Sequence, residues 1–160
     1  MHLKSPISKA HYETLAEFRY ALRQFLRFSE EAAQSAGLTP QQHQAMLAIK
    51  GFPGRDTITI GELAERLQIK HHSAVGLVDR LTTEKYIRRL TDPQDRRQVH
   101  LMLTARGEEV LEKLSATHRE ELRRMGPQIN QLLASLRGKD AASFSAFHTP
   151  EKSSVDVKSP

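Results

Sequence analysis

The 160-residue chain contains no cysteine. That absence excludes a thiolate zinc site, a thiol redox sensor and a disulfide scaffold, and it suits a cytoplasmic location. Long apolar runs are missing too. No stretch approaches the roughly 20 apolar residues that cross a bilayer, and the mean hydropathy is -0.54, so no membrane association is expected. Residues 1–13 lack the apolar core of a secretory signal. Catalytic signatures are likewise absent: there is no Gly-x-Ser-x-Gly, His-Glu-x-x-His or Gly-x-Gly-x-x-Gly. The segment 51–57 has two glycines and a threonine but no phosphate-loop lysine. Nothing in the residues supports an enzyme or calls for a cofactor.

What the chain does have is an excess of positive charge. The formal net charge is +5. Residues 39–107 hold 11 Lys and Arg against 7 Asp and Glu, a net of +4, so most of the excess lies in the middle. That distribution favours a polyanionic partner.

The most informative stretch is 88–103. Arg88 and Leu90, then Val99, Leu101 and Leu103, alternate as two strands do. Asp92-Pro93 starts a turn between them, because Pro93 fixes φ and Asp92 can accept from nearby backbone. Arg96 and Arg97 follow at the tip of a hairpin with little core to bury. Arginines on a thin hairpin can enter a narrow groove of strong negative potential, such as the minor groove of double-stranded DNA. A helical stretch at 71–85 lies directly upstream. Helix followed by basic hairpin is the outline of a winged helix-turn-helix.

Periodicity supplies the rest. A long helix is expected over 8–36, with Leu15, Phe18, Leu22, Phe25, Leu26 and Ala33 at three- and four-residue steps and Gly37 as its stop. Thr39, Pro40 and Gln42 form a strong second start with a capping box; that helix stops near Gly51. A short strand over 57–60, a helix over 60–67, a turn at 68–70 and the helix from His71 follow. Thr104 caps a helix to about Met125, Gly126-Pro127 is expected to break it, and a last helix carries Ile129, Leu132, Leu133 and Leu136. The tail is expected to be disordered. The reading is therefore mainly α with a small β-hairpin wing: an N-terminal dimerisation helix (1–38), a winged helix-turn-helix domain (39–107), C-terminal dimerisation helices (108–138) and a tail (139–160). The terminal helices exceed what a small winged domain needs. A two-fold dimer would bury their apolar stripes and set two reading helices about one DNA turn apart.

Four blocks together carry a family resemblance: Gly61-Glu62-Leu63-Ala64, Val78-Asp79-Arg80-Leu81, Asp92-Pro93-Gln94-Asp95-Arg96-Arg97 and Leu103-Thr104-Ala105-Arg106-Gly107. With the helix order, they make residues 15–136 resemble the MarR family of bacterial transcription regulators. The resemblance implies a homodimer with two winged lobes on a palindromic duplex. It implies a repressor that a small aromatic acid, phenol or other effector releases from DNA. It also implies roles residue by residue. Arg97 matches the wing arginine that enters the minor groove, Asp95 the acidic residue that orients it, and Arg96 a neighbour near phosphate. Ser73 and its neighbours match the start of the recognition helix. There are departures. Lys70 stands where a Ser or Thr cap is common, and Val75 and Gly76 stand where a threonine and a polar reader are common. The lack of cysteine excludes the family's thiol-based oxidant sensors.

The expected DNA contacts are phosphate contacts from Lys70, Arg80, Arg88 and Arg89, base contacts from His71, His72 and Ser73, close approach at Gly76, and shape readout by Arg97 with Asp95 and Arg96. Each has a plainer alternative. Adjacent histidines on a helix point about 100° apart and chelate one metal poorly, so His71 and His72 are read first as DNA contacts, then as exposed filler, and last as metal ligands. Arg80 can instead pair with Asp79 or Glu84. Phe18, Tyr20, Phe25 and His43 are the candidate effector contacts, although aromatics on a first helix more often fill core and dimer interface than a ligand pocket. His43, His100 and His118 have no metal-ligand spacing, and no metal site is expected. Two rivals to a DNA-binding regulator stand: a winged-helix protein-interaction module without DNA affinity, and a metal-responsive regulator.

Overall fold

The computed structural model describes residues 7–137; the tail expected at 139–160 lies outside them. The element order is α1 (Lys9–Ser35), α2 (Pro40–Lys50), β1 (Ile58–Thr59), α3 (Ile60–Leu67), α4 (His71–Thr83), β2 (Ile87–Thr91), β3 (Val99–Leu103) and α5 (Ala105–Arg137). The fold is mainly helical with one small antiparallel sheet, ordered β1-β3-β2. The chain divides into two compact units, Arg23–Arg124 and the pair Met1–Leu22 with Met125–Pro160.

The ends of the helices follow from local chemistry. α1 stops where Gly37 turns left-handed at φ 79. There Leu38 N–H donates to the Ala33 carbonyl and Gly37 N–H to that of Gln34, which satisfies two of the last carbonyls. α2 begins with the expected capping box: the Thr39 hydroxyl accepts from Gln42 N–H and the Gln42 side chain accepts from Thr39 N–H. A second capping box, not anticipated, starts α3. Thr59 Oγ1 accepts from Glu62 N–H at 3.2 Å, and Glu62 Oε2 accepts from Thr59 N–H at 2.8 Å. The backbone bond from Thr59 is the main cause that holds the Glu62 carboxyl below its ordinary value. Thr59→Ala should cost about 1 kcal/mol, read as a lower urea midpoint at unchanged slope; an unaltered midpoint would mean that the box contributes nothing.

The core of the unit Arg23–Arg124 joins all its elements. Met46 and Ile49 of α2, Leu63 of α3, Leu77, Val78 and Leu81 of α4, and Ile58, Ile87 and Leu101 of the sheet are all essentially inaccessible. Leu101 and Leu103 are buried, whereas His100 before them and Met102 between them are half-buried. This alternation turns one face of β3 to the core. β3 is the central strand and pairs Leu101 with Ile58 on one side and with Arg89 on the other.

One expectation fails. Gly126-Pro127 does not break the C-terminal segment, which is a single helix with Pro127 inside it. Instead of two C-terminal helices there is one. Pro127 removes an N–H and leaves the Arg123 carbonyl without its helical partner, ordinarily a loss of about 3 kcal/mol. Here Arg123 and Pro127 are both exposed, so water can satisfy that carbonyl. The apolar positions Leu122, Met125, Ile129, Leu132 and Leu136 keep one phase across the proline. Only a continuous helix keeps them on one face.

Candidate nucleic-acid interface

The helix expected to read DNA and the hairpin are built on adjoining elements. α4 begins at Lys70, whose backbone is extended and whose side chain makes no capping bond. His71, His72 and Ser73, the first turn, are all exposed. Gly76 is half-buried, and an added Cβ would meet only the Arg80 guanidinium, at 3.7 Å. Arg80 thus folds over Gly76 one turn along the helix. It enters no ion pair among the described residues, neither with Asp79 nor with Glu84.

Asp79 is used differently. Its carboxylate accepts from Arg89 of β2 at 2.5 Å, which ties the wing's first strand to α4. Arg89 is therefore engaged within the protein. Arg88, its neighbour, turns to the other face of β2 and reaches the Met102 sulfur at 3.5 Å. The link from α4 to β2 is short. Lys85 adopts a left-handed φ of 62, and Tyr86 N–H donates to the Leu81 carbonyl. The start of α5 locks this link. Thr104 Oγ1 donates to the Lys85 carbonyl at 2.6 Å, Thr104 N–H donates to that of Tyr86 at 3.0 Å, and the Arg106 guanidinium lies 4.7 Å from the Tyr86 ring centre.

At the tip of the hairpin two aspartates organise the backbone. Asp92 Oδ1 accepts from Gln94 N–H at 2.8 Å and Asp95 Oδ1 accepts from Arg97 N–H at 3.0 Å. Gln98 and Asp92 close the loop with a backbone bond of 3.2 Å. Asp95 therefore holds Arg97 through its main chain, not through its guanidinium. Arg96 and Arg97 are exposed, and neither enters an ion pair among the described residues.

Away from the hairpin, the unit Arg23–Arg124 carries a cleft of about 670 Å³ lined by Phe28, Ala32, Val110, Leu114, Glu31 and Lys113, among others. Its size is in the range of small-molecule sites. None of the four expected effector residues lines it. Phe25 sits edge-on to the His118 ring at 6.1 Å, and His43 is buried and stacked on His118 at 4.8 Å. Phe18 is half-buried and Tyr20 exposed. Burial, and then the neighbouring His118, holds the His43 ring below the ordinary histidine value. Sequence reasoning missed this pairing, since no local spacing connects positions 43 and 118. Among the described residues no three His, Asp or Glu side chains gather as metal ligands would. No described helix is long and apolar enough to cross a membrane.

Comparison with known proteins places this geometry. The model of one family, the MarR family, matches residues 36–98. The HTH-type transcriptional repressor MdtR of Bacillus subtilis (strain 168) is 29% identical over 86 residues, 54% of each chain. The chain spans about half the length of the curated relatives it matches. AbsC of Streptomyces coelicolor, a MarR family transcriptional regulator, superposes with a TM-score of 0.66 over 89% of this chain and 99% of its own, at 18% identity. A mutant of MepR from S. aureus bound to an oligodeoxyribonucleotide superposes at 0.59 over 83% of this chain and 96% of its own, at 19% identity. At these identities the two structures speak for the fold.

Proposed function

We propose that the chain, whose residues 36–98 match the model of the MarR family, is a dimeric DNA-binding transcriptional regulator of that family, a repressor released from a palindromic operator by a small-molecule effector. The observation that carries the reading is the joint exposure of the first turn of α4 and of Arg96 and Arg97, on elements tied together by the Asp79–Arg89 pair. The helix would lie in the major groove and the hairpin tip in the minor groove. The uncapped start of α4 leaves first-turn N–H groups to a phosphate, with Lys70 beside them.

Dimerisation is supported by α1. Tyr12, Leu15 and Leu22 are 58%, 42% and 39% exposed and share one face of the helix. An exposed apolar stripe of this kind marks an interaction surface. Leu15→Glu should leave the fold intact, since the side chain is exposed in the single chain, yet split the dimer and weaken DNA binding in parallel. Sedimentation of the parent as a monomer at micromolar concentration would refute the dimer. The effector reading rests on the cleft, whose apolar lining with Lys113 and Glu31 at its edge suits a small amphipathic molecule such as an aromatic acid or phenol.

Titration of the protein against duplex DNA from upstream of its own gene, with random duplex as competitor, tests the central claim. Preference for that duplex supports it. A folded dimer with no preference among duplexes selected from a random pool would favour the protein-interaction module instead.

A further inference from the structure

Two consecutive residues at the start of α2 face different parts of the unit Arg23–Arg124. Gln42 is 3% exposed. Its Oε1 completes the capping box, and its Nε2 donates to both carboxylate oxygens of Glu84 at 3.1 Å. Glu84 is the residue that ends α4. His43, 4% exposed, stacks on His118 of α5. His118 is fixed from two sides: one ring nitrogen lies 2.6 Å from the Leu114 carbonyl and the other 2.7 Å from Ser29 Oγ of α1. Phe25 and Phe28 of α1 close around its ring.

We propose that the first turn of α2 is a relay, in which Gln42 positions the end of α4 and the state of the His43–His118 stack sets where Gln42 sits. The proposal rests on the reading of α4 as the DNA-reading helix. One peptide separates the two residues, and α2 is held at this end by a capping box, so movement of His43 carries Gln42 with it. Leu114 and Phe28 touch His118 and also line the cleft, which places the stack beside the site proposed for the effector.

The stack is also sensitive to acid. His118 from α5 is the titratable group that acts on His43. The residues α1 brings to the stack, Phe25, Phe28 and Ser29, carry no charge, and the charged side chains Glu31 and Lys113 line the neighbouring cleft, Lys113 being bound by Glu109. A proton on His43 therefore meets no carboxylate and a second imidazole. Because the folded value lies below the unfolded one, near 6.5, the packed stack is fully stable above that pH. It loses stability as pH falls through 6.5 toward the folded value.

The test follows backbone amide resonances of Thr82 and Thr83 at the end of α4, in the full chain without DNA, from pH 7.5 to 5. In the parent they should shift together with the His43 ring signals. His43→Phe keeps an aromatic ring on His118 but takes no proton, and should abolish the shift. Glu84→Ala removes the acceptor for Gln42 at an exposed position and should abolish it while the His43 ring signals still titrate; Glu84→Gln keeps an acceptor and should restore it. A pH-dependent shift that persists in His43→Phe or in Glu84→Ala, or is absent from the parent, overturns the relay. Operator affinity is read alongside, and acid should weaken it more in the parent than in His43→Phe. If the amides behave as expected but the two proteins lose affinity alike, the relay stands and the assignment of α4 as the reading helix falls.

Discussion

Gly107→Ala is expected to lower the melting temperature by roughly 10 °C, about 3 kcal/mol, a large part of the stability of an ordinary domain. Helix propensity alone predicts the opposite, because alanine is favoured over glycine by about 1 kcal/mol inside a helix. Contact decides the sign. A Cβ at position 107 would stand 2.1 Å from the Tyr86 carbonyl oxygen and 3.1 Å from its carbon. Both are backbone atoms, so no side chain can swing aside. They are also held: Tyr86 accepts from Thr104 N–H, and the preceding Lys85 sits in a left-handed turn. To admit the methyl group, the start of α5 must lift off the link between α4 and β2. That would release the Thr104 bonds and displace the hairpin relative to the reading helix. DNA affinity should therefore fall even in the fraction that remains folded. Gly126→Ala is the control. Nothing lies within 4 Å of a Cβ there, and this substitution should be neutral or stabilise by up to about 1 kcal/mol. Equal melting temperatures for the two variants would show that the Gly107–Tyr86 approach is not a constraint of the fold.

The sequence shows most clearly what is local. The Thr39-Pro40-Gln42 start, the Gly37 stop, the uncapped Lys70 and the Asp92-Pro93 turn are decided within a few residues, and the structure has each of them. The Thr59–Glu62 box was equally legible, a threonine followed three residues later by a glutamate ahead of an apolar run. The Pro127 expectation failed because a local rule was weighed without the apolar phase that continues past it. What could not be read is tertiary. Nothing in the order of residues says that Arg89 pairs with Asp79. Nor does it say that Gln42 bonds Glu84, or that His43 meets His118 across 75 positions. The tip of the hairpin falls between these cases. Its sequence announces a turn with two arginines, but only the geometry assigns Asp95 to the Arg97 main chain.

That assignment sharpens what should happen at the hairpin. Arg97→Ala is expected to remove most operator affinity while fold and dimer persist. The side chain is exposed and enters no ion pair among the described residues. The alanine would keep the N–H that donates to Asp95, so the turn has no reason to change. In a complex the guanidinium would sit where the minor groove focuses negative potential. Its loss should cost on the order of 1–3 kcal/mol per half-site. Two half-sites in a dimer make even the low end roughly a 30-fold loss. The salt dependence should flatten as well, by about one phosphate equivalent per subunit. Asp95 separates two explanations of how the arginine is held. If its carboxylate steers the guanidinium, Asp95→Asn and Asp95→Ala should both weaken binding. If it acts as the acceptor of the Arg97 N–H, as the 3.0 Å bond indicates, Asp95→Asn retains an acceptor oxygen and should bind nearly as the parent does. Asp95→Ala alone should then lose affinity, by less than Arg97→Ala, since the arginine remains on a loosened tip. Operator titrations of the three variants at two salt concentrations resolve the order. Undiminished affinity in Arg97→Ala would remove the hairpin from the DNA interface, and with it the principal support for reading this chain as a DNA-binding regulator.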